Sequence, residues 1–95
     1  MSLMNLQAAI ALHVPASFIE DSREDGTALA FRQVGGTVRV TEGKDDPDFY
    51  YLGSRISQLS AKNWAVGLKY YFESLTDAKR FIDQRRAARA EAKAA

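Results

Sequence analysis

The chain has 95 residues, 46% hydrophobic and 26% charged, with no cysteine and a formal net charge of +1. That length suits one domain, and the composition is that of a soluble globular protein rather than a disordered one. The absence of cysteine excludes disulfides, thiolate chemistry and cysteine-based zinc or iron–sulfur centres, so the fold must rest on its apolar core or on a partner.

The small net charge conceals a polarity. Through Tyr50 the chain carries eight acids against four bases, and from Tyr51 onward nine bases against four acids, giving −4 and +5. Such asymmetry steers an oriented encounter with a charged partner, or is simply a solvated surface. The longest apolar stretch, Ala8 to Leu12, is far short of the ~20 residues a membrane span needs. The amino-terminus lacks the basic region and cleavage pattern of a signal peptide, so a cytoplasmic protein without membrane contact is expected. Met1-Ser2-Leu3 ahead of Met4 reads as a cloning remnant, which leaves 4–95 as a single domain.

In chain order, Leu3, Leu6, Ile10 and Val14 recur at helical spacing, and Pro15 disfavours helical geometry at the residue before it. A short amphipathic helix is therefore expected to end there. Phe18 and Ile19 read as a brief strand or anchor, and the polar run 20–26 as a surface loop. Gly35-Gly36 separates two extended segments, 27–34 and 37–42, and two glycines accept the positive φ angles of a tight hairpin turn. On the second segment Val38 and Val40 point to one face, with Thr37, Arg39 and Thr41 on the other.

The run 43–48, rich in Asp and containing Pro47, predicts a loop. Residues 49–59 predict a third strand, bent or bulged at Gly53. After a turn at 61–63, Trp64, Val66, Leu68, Tyr70 and Phe72 alternate with smaller or polar residues and predict one long strand with a single buried face. Ser74-Leu75-Thr76-Asp77 resembles a capping box opening a helix with Leu75, Ala78, Phe81 and Ile82 on one stripe. Residues 88–95 have strong helix propensity and little to bury, so a frayed tail is expected. The sum is an α+β domain: an N-terminal helix, an antiparallel meander of about four strands and a C-terminal helix. Both helices are expected to stack on the Trp64/Val66/Leu68 face in two layers.

Little in this sequence carries chemistry. His13 is the only histidine, and no serine or acid stands at a spacing that implies a relay; a small enzyme centred on it is the least favoured reading. Asp45, Asp46 and Asp48 lack the glycine and closing glutamate of a calcium loop. Gly35-Gly36 lacks the further glycines and lysine of a phosphate-binding loop. No catalytic residue, metal site or cofactor is expected.

Two binding surfaces are expected instead. The sheet face opposite the helices would present Arg39, Lys69 and Tyr71, joined by Tyr50 or Arg55, a mixture common at interaction hot spots and nucleic-acid platforms. The last helix carries Lys79, Arg80, Arg86 and Lys93, with Arg85 and Arg89 on neighbouring faces, a row able to neutralise phosphates. The plainer alternatives are a cross-strand aromatic ladder for the first and a salt-laced solvated helix for the second. Oligomeric state stays open, because an exposed edge strand or sheet face could pair with itself.

Residues 63–84, a Trp-initiated strand followed by Phe72-Glu73-Ser74-Leu75-Thr76-Asp77-Ala78-Lys79-Arg80-Phe81, resemble the last strand and helix of integrase arm-binding domains, which bind DNA through a three-stranded sheet. The glycine that family carries before the final Phe is replaced by Tyr70-Tyr71. In overall type the chain is similar to small phage-encoded anti-CRISPR proteins, in particular inhibitors of type I-F surveillance complexes. The likeness lies in a compact cysteine-free chain, a helix, a meander, a charged terminal helix and no catalytic grammar. It implies a non-enzymatic, stoichiometric inhibitor docking on a Cas protein or guide-RNA complex in the host cytoplasm, with the basic half near RNA. The alternative is a DNA- or RNA-binding accessory protein that uses the open sheet face and the basic helix.

Overall fold

A computed structural model describes residues 5–43 and 47–94, with the side chains of 93 and 94 left undescribed. The expectations for Met1 to Leu3, Asp45, Asp46 and the Lys93 side chain lie outside the described residues.

Helix α1 spans Leu6–His13. The Asn5 side chain opens it by accepting from the Ala8 amide (2.8 Å), and Val14 leaves it in extended conformation ahead of Pro15. A second helix, α2 (Ala16–Asp25), replaces the expected loop. Pro15 supplies its N-cap, where a missing N–H costs nothing, and Gly26 ends it at φ 75°. The Gly26 and Thr27 amides return to Ser22 and Arg23 carbonyls, which closes the last turn. Its polar residues are solvated while Phe18, Ile19 and Ser22 turn inward, so composition alone disguised the helix.

Six strands follow as one antiparallel meander in sequence order: β1 (Leu29–Val34), β2 (Thr37–Glu42), β3 (Asp48–Tyr51), β4 (Ser54–Ser60), β5 (Asn63–Val66) and β6 (Tyr70–Phe72). The Gly35-Gly36 hairpin forms as expected, with both residues at positive φ (54° and 77°). Two further hairpins divide what the sequence presents as continuous strands. Leu52 and Gly53 adopt φ 49° and 84° and reverse the chain between β3 and β4. Gly67, at φ 66°, opens the turn between β5 and β6. Helix α3 spans Leu75–Ala94; the Ser74 hydroxyl caps it by accepting from the Asp77 amide (3.1 Å), and residues 87–92 are all exposed.

The α+β class holds, but the helices occupy opposite faces of the sheet. Phe49 and Tyr50 are consecutive on β3 and both buried, and consecutive strand residues point to opposite faces, so both faces must be covered there. Through the ladders, Tyr50 shares a face with Val38, Val40, Leu29 and Phe31, which form one cluster with Ala9, Ile10, Val14, Phe18 and Ile19. Phe49 shares the other with Ile56, Val66, Trp64 and Phe72, which pack with Leu75, Ala78, Phe81 and Ile82 of α3. The first cluster draws its strand residues from β1 to β3 alone, which leaves that face uncapped over β4 to β6.

Candidate binding surfaces

The one histidine is committed to architecture. His13 Nδ1 accepts from the Leu52 amide (2.9 Å), and its own carbonyl accepts from the Gly53 amide (2.8 Å). Its ring stacks on Tyr51, whose hydroxyl donates to Asp83 of α3 (2.8 Å). Burial, and secondarily the Lys79 ammonium, hold His13 below the ordinary imidazole range, which keeps it neutral with the proton on Nε2. Burial and the bond to Asp83 raise the Tyr51 phenol. Among the described residues no group of three or more His, Cys, Asp or Glu is placed to hold a metal, and no helix is long and apolar enough to cross a membrane.

The residues expected on one open sheet face are dispersed. Arg39 lies on the α3 side, directly opposite Arg32 on β1 and Phe49 on β3, and its Nε is buried without a hydrogen-bond partner. Tyr50 is in the core beneath Phe18. Arg55 and Tyr71 do share the uncapped part of the opposite face, and Lys69 stands exposed in the β5–β6 turn rather than on a strand. Arg55 pairs with Asp48 (2.6 Å), which also accepts from the Ser57 hydroxyl (3.1 Å).

Leu68 changes role most. Expected in the core, it sits at the tip of the β5–β6 turn with 94% of its surface exposed. Tyr71, 59% exposed, lies beside it, its hydroxyl 3.5 Å from the Leu68 carbonyl. A hollow of about 270 Å³ lined by Arg55, Ser57, Gly67 and Leu68 completes an apolar projection flanked by positive charge.

The basic helix separates into two groups. Lys79 is spent on structure: its ammonium donates to the Gly35 carbonyl (2.6 Å) and lies 6.0 Å from the Tyr51 ring centre. Arg80 lies 3.8 Å from Asp77 beside the Phe72/Phe81 edge. Farther along, Arg85 lies over the Tyr70 and Phe81 rings (5.6 and 5.5 Å), and Arg86 reaches the Leu52 carbonyl at 3.4 Å. With Arg89 they line a cleft of about 60 Å³ that also includes Ser54, Val66 and Ile82.

No protein-family model, curated protein or solved structure matches this chain. A fold by itself implies no function, and the features of this chain that bear on one are its surfaces.

Proposed function

We propose that this chain is a non-enzymatic binding module that docks on a protein or ribonucleoprotein through the β5–β6 end of its sheet. The specific form we favour is a stoichiometric inhibitor of the anti-CRISPR type, acting on a Cas complex in the host cytoplasm. The observation that carries the docking reading is Leu68, a large aliphatic residue held 94% exposed at the tip of a short turn. Isolated exposed apolar residues are ordinary, but this one lines a hollow with Arg55 and Ser57, with the exposed Tyr71 at its carbonyl and the exposed Lys69 next in the turn. Tyrosine and arginine supply large contact area with polar ends, and an aliphatic anchor supplies the desolvated centre that hot spots need. The Arg55 charge is met within the chain by Asp48, so Lys69 supplies the positive flank, which favours an acidic surface with an apolar recess.

Co-migration with a purified type I-F surveillance complex on size exclusion tests the reading. Wild-type protein is expected to co-elute, and a Leu68→Ser/Tyr71→Ala variant to elute alone. Separate elution of the wild type, or co-elution of both, counts against it.

A further inference from the structure

The cleft on α3 stands on a different observation. Arg85, Arg86 and Arg89 converge on one small recess, and among the described residues none of them forms an ion pair. The nearby carboxylate of Asp83 is already engaged by the Tyr51 hydroxyl. Three arginines thus line one recess, and the ordinary partner for such a charge, an acid one helical turn away, is not used here. Arg85 is also held in place by cation–π contacts to the Tyr70 and Phe81 rings, at 5.6 and 5.5 Å.

From this we infer that the Arg85/Arg86/Arg89 cleft, with Ser54 at its lip, is a phosphate site for a nucleic-acid backbone. Guanidinium forks donate paired hydrogen bonds to phosphate oxygens, and a serine hydroxyl adds a further donor. At about 60 Å³ the recess has room for a few waters or one small oxyanion, not for a base or a sugar. Arg85 and Arg89 stand one turn apart, a rise of about 6 Å along the helix. With one phosphate in the recess, that spacing lets an outer arginine meet the neighbouring phosphate of the same strand. Ser54, Val66 and Ile82 place the cleft on the α3 face, away from Arg55 and Tyr71. The inference therefore stands whether or not the Leu68 patch docks a protein.

Fluorescence anisotropy with labelled single-stranded RNA and duplex DNA, at about 50 and about 200 mM salt, tests it. Wild-type protein is expected to bind an oligonucleotide at the lower salt and to weaken steeply at the higher. Arg86→Gln/Arg89→Gln, both at exposed positions that leave the fold intact by circular dichroism, is expected to lower affinity at least tenfold. It should also reduce the slope of log affinity against log salt by about two. Arg80→Gln on the same helix and Leu68→Ser on the other face are expected to bind as wild type does. Three results overturn the inference: no binding of any oligonucleotide at the lower salt, an equal loss in Arg80→Gln, or displacement of the oligonucleotide by an equal phosphate concentration of inorganic phosphate. The second would mean diffuse charge alone, and the third a site for the free ion.

Discussion

The imidazole of His13 lies over the ring of Tyr51 at 5.4 Å and 19°, and that stack joins the two helical layers through the sheet. Tyr51 belongs by register to the α3 face, and its hydroxyl is held by Asp83. His13 ends α1, which packs on the opposite face. The contact forms at the β3–β4 turn, where Leu52 adopts φ 49°. A left-handed conformation costs a side chain-bearing residue roughly 1–2 kcal/mol. The bonds from the Leu52 and Gly53 amides to His13 help hold it there.

His13→Ala removes the acceptor of the Leu52 amide and one side of the stack. A loss of about 1–3 kcal/mol is expected, the usual cost of a part-buried donor left without its partner. Chemical denaturation at neutral pH measures it, and a loss below about 0.5 kcal/mol would mean that the turn holds without His13.

The same residue predicts a pH dependence. Its pKa in the folded state is depressed below the unfolded value of 6.5, so the unfolded chain takes up the proton first as pH falls. The contribution of neutral His13 is therefore complete above pH 6.5 and is lost as pH falls below 6.5 through the folded value. The stability difference between wild type and His13→Ala should narrow between neutral pH and about pH 5. A difference that stays constant or widens on acidification contradicts this account.

Gly36 has φ 77° in the first hairpin, and an added Cβ would also meet the Lys79 ammonium at 3.2 Å. Gly36→Ala is expected to cost about 1–2 kcal/mol from backbone strain. It should also disturb the Lys79 bond to the Gly35 carbonyl, which ties α3 to this turn. An unchanged melting temperature would show that the turn readily adopts another geometry.

Trp64 and Leu68 test the second hidden hairpin. Trp64 packs edge-on against Phe49 at 5.1 Å and is half-buried in the α3 cluster, so Trp64→Ala is expected to cost about 3 kcal/mol. Leu68→Ala should change stability by no more than about 0.5 kcal/mol, because the side chain touches mainly solvent. Were 64–72 one continuous strand, Leu68 would be as deep as Val66 and its truncation would cost about 2–5 kcal/mol. Parallel thermal melts of the two variants separate these cases.

That hairpin also shows why part of the fold was legible and part was not. Strict alternation from Trp64 to Phe72 is symmetric about Leu68, and the observed pairs are Trp64 with Phe72, Ala65 with Tyr71 and Val66 with Tyr70. Folding such a segment at its centre keeps the paired residues on their expected faces and takes Gly67, Leu68 and Lys69 into the turn. Periodicity therefore identified Trp64, Val66 and Phe72 on the α3 side, but it also buried Tyr70, which is exposed, left Ala65 out of the buried set, and misplaced Leu68, the residue at the centre of the proposed docking patch. Leu52 concealed the preceding hairpin because a leucine at positive φ carries none of the usual turn chemistry, whereas Gly35-Gly36 announced the first. Helix α2 was hidden by its acids, although Pro15 and Gly26 mark its ends. The charge row on α3 was visible in sequence. Which arginines remain without a carboxylate depends on contacts such as Tyr51 to Asp83, across 32 residues of sequence, which no local pattern reveals.

The central claim is that the Leu68 end of the sheet docks on and inhibits a Cas complex. Titrating the protein into a type I-F surveillance complex while following target-DNA binding tests it most directly. The account predicts loss of target binding at near-equimolar protein, and retained binding when Leu68→Ser/Tyr71→Ala is added instead. Undiminished target binding at saturating wild-type protein, or equal inhibition by the variant, would contradict it.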